Sequence, residues 1–149
     1  MKRKILTTPI QDEELESLTI GDIVYLNGYL VTSRDDVHQR LIKQHKSLPV
    51  NLAGLAIFHA GPIMQEIEGQ PGKYRVISIG PTTSMRMEKY EKEFIAQTGL
   101  KLMVGKGGMG LIRLMDAGNI KRCILCFPAA VRFWPPTAWK RWNGWSGLI

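Results

Sequence analysis

Cysteine is scarce: Cys123 and Cys126 are the only two in 149 residues. Two cysteines cannot build the disulfide framework of a small secreted domain. A single Cys-x-x-Cys pair without a second is also a weak metal signature, so no metal site is expected in this chain. No window is long and apolar enough to cross a membrane. The basic start Met1-Lys2-Arg3-Lys4 is not followed by the apolar stretch of a secretory signal. These absences point to a cytoplasmic protein with no membrane partner. Acid is missing from one end. Residues 118–149 hold five Lys and Arg and no Asp or Glu, although the whole chain is +7. Without that tail, fifteen Lys and Arg face thirteen Asp and Glu, a net of +2. The body is nearly neutral, and the basic balance that invites a nucleic-acid partner belongs to the tail.

What is present reads as one domain with an ordinary apolar content of 44%. No internal repeat or linker interrupts it. Ile20–Leu26 and Tyr29–Thr32 are rich in β-branched and aromatic residues, and Asn27-Gly28 between them predicts a hairpin. Ser33 is placed to cap a helix from Arg34 to about Lys46 with Val37, Leu41 and Ile42 on one face. Strands are expected at Leu55–Phe58, Tyr74–Ile79 and Leu100–Val104, with a turn at Gly69-Gln70-Pro71-Gly72. Helices are expected over Ser84–Gln97 (Met87, Tyr90, Phe94 and Ile95 on one face) and from Met109 to about Ala117. Strand, Gly-containing loop and helix thus follow one another twice. The fold class is α/β, three-layered, with a partly parallel sheet and an added β-hairpin.

Ligands bind in open α/β sheets beyond the strand ends, where free N–H groups at helix N-termini attract anions. The two strand–loop–helix passages are Ile79-Gly80-Pro81-Thr82-Thr83-Ser84-Met85-Arg86 and Val104-Gly105-Lys106-Gly107-Gly108-Met109. Thr82, Thr83 and Ser84 offer hydroxyls. Arg86 offers a fork that matches a carboxylate. Lys106 offers a point charge among glycines that permit close approach. Arg34, after its own strand, is placed in the same way. Gly105-Lys106-Gly107-Gly108 lacks the spacing of a nucleotide-binding P-loop. His59, before Gly61-Pro62, reads as a turn residue, and His38 follows Arg34 by one helical turn.

Four blocks occur in order: Thr32-Ser33-Arg34-Asp35-Asp36-Val37-His38-Gln39-Arg40-Leu41, His59-Ala60-Gly61-Pro62, Gly80-Pro81-Thr82-Thr83-Ser84-Met85-Arg86-Met87 and Gly105-Lys106-Gly107-Gly108-Met109. Over residues 1–117 the chain resembles the β subunit, or C-terminal domain, of the iron–sulfur class I fumarate hydratases. It is similar also to the β subunit of L-tartrate dehydratase. The resemblance implies a swivelling β/β/α domain. It implies a hydro-lyase that interconverts fumarate and malate, with tartrate dehydration as the alternative. The partner would be an α subunit, with a dimer of αβ pairs as the assembly. No cofactor would be bound by this chain alone, since the four-iron four-sulfur cluster would sit on three cysteines of the α subunit. Carried over by position, Arg34 and Arg86 would grip the substrate carboxylates, with Thr83 and Ser84 beside them. Thr82 would be the base and would need an activating carboxylate from the partner. Lys106 would stabilise developing negative charge, and Asp35 and His38 would be further catalytic candidates.

Residues 118–149 depart from that pattern. All four tryptophans lie between Trp134 and Trp145, among basic residues. One reading is a nucleic-acid-binding tail that stacks bases and pairs phosphates. The other is an altered reading frame. Regrouping the codons of residues 139–149 one base earlier permits Val-Glu-Glu-Val-Glu-Trp-Val-Glu-Trp-Leu-Asp, a segment with acid and alternation restored. The same regrouping permits Pro-Gly-Gly-Cys-Ala-Val-Leu-Ala-Ala over residues 128–136. The frame change would begin between Gly118 and Arg122, and the tail's charge, tryptophans and Cys-x-x-Cys would then carry no functional message.

Overall fold

The structure is a computed structural model that describes residues 2–19, 21–107 and 109, and the backbone of 123–127. In chain order the elements are β1 (Arg3–Thr7), α1 (Asp12–Glu16), β2 (Ile23–Asn27), β3 (Leu30–Thr32), α2 (Asp35–Ile42), β4 (Ala56–Phe58), β5 (Ile63–Glu66), β6 (Tyr74–Ser78), a 3₁₀ turn (Ser84–Arg86), α3 (Glu88–Thr98), β7 (Leu102–Lys106) and β8 (Cys123–Phe127). The expected helix from Met109 and the tail beyond Phe127 lie outside the described residues.

The central sheet is parallel, in the order β3-β4-β7-β8. Its strands bury alternate residues on opposite faces, as a period of two requires. Ala56, Phe58, Leu102 and Val104 meet Leu6, Val24 and Leu26 of the small parallel sheet β1-β2. Ile57 and Met103 face the other way, onto Phe94 and Ile95 of α3, with Val37, Leu41 and Ile42 of α2 beside them. Sheet, sheet and helices therefore stack in three layers. The near-continuous apolar run of β7 is what a parallel strand covered on both faces demands.

The hairpin expected at Asn27-Gly28 does not form. Gly28 does take a positive φ of 88°, but β2 pairs with β1 and β3 pairs with β4, so the two runs enter different sheets. The reason is local packing against Thr8. A Cβ on Gly28 would overlap the Thr8 hydroxyl, which accepts the Tyr29 N–H at 2.6 Å. Thr8 N–H in turn donates to Asn27 O at 3.1 Å. These bonds carry the chain past the first sheet rather than back along it. The hairpin of the fold is instead β5-β6, antiparallel, turning through Gly69-Gln70-Pro71-Gly72.

Two further expectations shift. The helix after Ser33 is shorter, Asp35–Ile42, and its N-cap is Arg34 with no side-chain cap bond; the Ser33 hydroxyl lies 3.3 Å from His38 Nδ1 instead. The third predicted strand begins and ends two residues later, at Leu102–Lys106. Gly105 and Lys106 therefore belong to the strand end, where ladder bonds fix them.

Candidate functional site

The C-terminal ends of β3, β4 and β7 lie side by side, since Thr32 pairs with Phe58 and Phe58 with Val104. Each strand leads straight into one of the marked segments: Ser33-Arg34-Asp35, His59-Ala60-Gly61 and Lys106-Gly107. The fourth segment, which follows β6, is drawn in by backbone bonds. Thr82 N–H donates to His59 O at 2.7 Å, and Lys106 N–H donates to Thr82 O at 3.3 Å. Isolated bridges join Ala60 to Pro81 and Thr83 to Lys106. The chain thus gathers all four segments at one end of the parallel sheet, as expected for this architecture.

Asp35 connects the two arginines. Its Oδ2 lies 2.9 Å from Arg86 Nη2 and 3.6 Å from Arg34 Nε. The Arg34 and Arg86 side chains are 49% and 54% exposed, so both forks remain open to a ligand, whereas Asp35 is 21% exposed. Gly61 makes room for Arg34: a Cβ there would lie 2.8 Å from Nη1. Lys106 is exposed and Thr82 half-buried at the same rim. Arg34, Arg86 and Lys106 against Asp35 give a net of +2 from three cations and one anion. A balance of that sign suits an anionic ligand.

His38 and Ser84, expected at the rim, lie beneath it. Ser84 is buried, and its hydroxyl is 2.9 Å from His59 Nδ1. His38 has no exposed side-chain surface; it stacks on Phe94 at a centroid distance of 4.2 Å and lies edge-on to His59 at 5.6 Å. Neither is turned to an exposed face, so direct contact with a substrate is not what their positions provide. His59, read as a turn residue, is also fully buried.

The residue missed in the sequence is Glu91. Its carboxylate is fully buried, with Oε1 3.0 Å from His38 Nε2 and 3.1 Å from His59 Nε2. Burial alone pushes this carboxyl up, but bonding from His38 and then His59 outweighs it and holds the group below its ordinary value. The signal was available. Glu91 is four residues after Met87 and three before Phe94, so it stands inside the apolar stripe of α3. An acid there needs a buried partner.

Among the described residues, His38, His59 and Glu91 are the one group of metal-ligand types whose atoms converge, all within 4.8 Å. The iron–sulfur cluster that the resemblance implies needs three or four thiolates. This chain has two cysteines, so its own residues do not fit such a cluster.

Comparison with known proteins places the chain among relatives of one family. The family model described as the fumarase C-terminus matches residues 1–122. The β subunit of L(+)-tartrate dehydratase from Escherichia coli (strain K12) is 51% identical over 127 residues, covering 85% of this chain and 62% of that protein. A putative L(+)-tartrate dehydratase β subunit from Methanocaldococcus jannaschii is 46% identical over 100 residues, covering 65% of this chain and 50% of that one. A putative class I fumarate hydratase from Geobacillus stearothermophilus is 38% identical over 111 residues, 73% of this chain and 21% of that protein. The chain spans about 62% of the length of the Escherichia coli relative. Both the family match, over most of the chain, and the Pro-Thr-Thr-Ser-x-Arg-Met and Gly-Lys-Gly-Gly blocks within it lead to one statement: the chain belongs to the fumarase C-terminus family.

Proposed function

We propose that this chain is the β subunit of a hydro-lyase acting on a four-carbon dicarboxylate. The observation that carries the reading is the pairing of Arg34 and Arg86 through Asp35, beside Lys106 and Thr82. Two guanidinium forks and an ammonium opposed by one carboxylate leave the site short of two negative charges, which a dicarboxylate supplies.

Residues of this chain would act as follows. Arg34 and Arg86 each take one carboxylate, and Asp35 holds the two forks in register until substrate arrives. Thr82 stands where a proton is taken from the carbon next to the one that loses hydroxide. A hydroxyl is a poor base, so Thr82 works only with a carboxylate from the companion α subunit. Lys106 stabilises the negative charge that spreads into the adjacent carboxylate as the proton leaves. A four-iron four-sulfur cluster would supply Lewis-acid chemistry for the departing hydroxide, and in this reading the α subunit would hold it, because this chain has too few thiolates. The swivelling β/β/α domain and the αβ-pair dimer go with the same proposal.

L-tartrate is the substrate favoured, because the 51% and 46% identical relatives carry that name. The family resemblance puts fumarate first with tartrate as the alternative, the residues themselves read the same for both, and a 38% identical relative keeps fumarate as the second reading. The deciding experiment is anaerobic co-expression with a candidate α subunit, followed by assay of L-tartrate and fumarate separately. Loss of L-tartrate as product forms is expected. Turnover of neither substrate sinks the proposal.

A further inference from the structure

Beneath the rim lies a unit that the chemistry above leaves unused. Glu91, His38 and His59 have no exposed side-chain surface, and both Nε2 atoms lie against the same carboxylate oxygen, at 3.0 and 3.1 Å. A carboxylate so deep is costly unless it is paired. A buried ion pair as a whole is often replaceable by well-packed apolar side chains with little loss of stability, so stability alone does not account for this trio.

The contacts of the two imidazoles run to the site segments. His38 Nδ1 is 3.0 Å from Arg34 O and 3.3 Å from Ser33 Oγ. His59 Nδ1 is 2.9 Å from Ser84 Oγ, and His59 O accepts the Thr82 N–H at 2.7 Å. His59 N–H donates to Val104 O at 2.8 Å, at the end of β7. Gly105 completes the fit, since a Cβ there would overlap Ser84 Oγ and lie 3.2 Å from His59 Nδ1. One carboxylate in α3 therefore reaches the segments after β3, β4 and β6, and through His59 the end of β7.

Proton positions follow from the partners. A carbonyl oxygen only accepts, so His38 Nδ1 facing Arg34 O carries hydrogen. His38 Nε2 faces an ionised carboxylate, also an acceptor, and carries hydrogen too. His59 differs: its Nε2 faces the carboxylate, but its Nδ1 faces a hydroxyl that can donate.

We propose that Glu91, His38 and His59 form a buried, charge-neutral hub that positions Arg34 and Thr82, with His38 protonated on both ring nitrogens and His59 on Nε2 alone. Its positioning role rests on the dicarboxylate reading of the rim; its proton pattern does not. A metal held by the same atoms would require both Nε2 atoms unprotonated, so the two arrangements are opposites.

The test uses the full chain labelled uniformly with ¹⁵N, with long-range ¹H–¹⁵N correlation of the histidine rings. Both nitrogens of His38 and Nε2 of His59 should give protonated-type signals, and His59 Nδ1 an unprotonated one. An unprotonated Nε2 on either ring, or a stoichiometric divalent metal lost in Glu91→Gln, overturns the hub. In Glu91→Gln the second proton of His38 should be lost, and the amide signals of Arg34 and Thr82 should shift while those of β5-β6 stay. Shifts confined to α3 overturn it. Should that variant not fold, Ser84→Ala keeps the buried charges and should move the His59 Nδ1 signal while leaving both His38 nitrogens in place; an unmoved Nδ1 overturns the hub. In the assembled enzyme acting on L-tartrate, Glu91→Gln should lower kcat by about tenfold or more, the scale of a misplaced reacting group, and Glu91→Asp should recover part of it. Unchanged kcat and KM overturn the positioning role. A wild-type assembly without turnover refutes the dicarboxylate reading, while the proton pattern still decides the hub.

Discussion

Asp35 Oδ2 lies 2.9 Å from Arg86 Nη2, so one carboxylate already occupies a place that a substrate carboxylate would compete for. The pair is half open to solvent, and such pairs contribute only about 0–1 kcal/mol to folding. In the proposed function its value is in binding. Arg86→Ala should therefore leave the melting temperature nearly unchanged while removing a charge-assisted contact to substrate, a loss of about 2–5 kcal/mol in kcat/KM for a contact that becomes desolvated on binding. Thermal unfolding and steady-state kinetics on the same preparation check both halves. Wild-type kcat/KM in the variant rules out the role given to Arg86.

Thr82 makes the sharper kinetic prediction. Its backbone is fixed from both sides, by His59 O and by the Lys106 N–H, so substituting the side chain should not move the loop. Thr82→Val keeps the shape and deletes the hydroxyl. Turnover should fall by about 10²–10⁴-fold, the range for loss of a general acid–base group, with little change in KM. Thr82→Ser should retain a measurable fraction. Equal losses in Val and Ser variants would show that the methyl group matters rather than the hydroxyl.

How much of this was legible in the sequence differs by layer. The structure brings Arg34, Thr82, Arg86 and Lys106 to one end of the parallel sheet, and the sequence singles them out because loop-borne residues at strand ends announce themselves by residue type and by flanking glycine and proline. Of the parallel sheet, β3, β4 and β7 follow from their apolar and β-branched runs, whereas β8 (Cys123–Phe127) was not expected as a strand. β1 and β5 were missed: Lys2-Arg3-Lys4 masks the first, and the second has only four residues, three of them exposed or polar. The Asn27-Gly28 hairpin failed because a turn signal fixes a local backbone and says nothing about which strand the chain pairs with next. Glu91 was invisible to a search for polar residues on loops, since it is a charge hidden within an apolar helix face.

Gly105 offers a test of packing. With Ser84 Oγ and the His59 ring closing over its Cα, Gly105→Ala forces a group into filled space. Overpacking of this kind costs about 1–3 kcal/mol. The melting temperature should fall by roughly 2–4 °C for each kcal/mol in a chain of this size. An unchanged melting temperature means that Ser84 can turn away at no cost, and the tightness argued for the hub is lost.

The tail makes a genetic prediction. The family match ends at residue 122, inside the span where the altered reading frame was expected to begin. β8 nevertheless pairs with β7 from Cys123 to Phe127, so the apolar run Cys-Ile-Leu-Cys-Phe serves as a strand in the frame as written. Resequencing the gene should reveal a one-base change upstream of the codons for 128–149 that restores an acidic, alternating segment. A confirmed frame with no such change leaves the tail as a genuine divergence, and deletion of 128–149 then tests whether salt-sensitive nucleic-acid binding resides there.

Glu91 also predicts how stability depends on pH. Burial raises its carboxyl, the two imidazoles lower it further than that, and the folded value lies below the ordinary 4.5. A carboxyl depressed by folding is ionised in the folded chain at a pH where the unfolded chain has taken up a proton. Its contribution is fully present above the unfolded value and is lost as pH falls through the folded one. The window therefore opens near pH 4.5 and extends downward. Wild type and Glu91→Gln should differ most in unfolding free energy above that point, and the gap should narrow steadily as the solution is acidified. Urea unfolding at pH 7, 5, 4 and 3 measures it. A gap that stays constant from pH 7 to 3 would mean that Glu91 is not ionised against His38 and His59 in the folded protein, and the charge pairing drawn from the 3.0 and 3.1 Å contacts would be wrong.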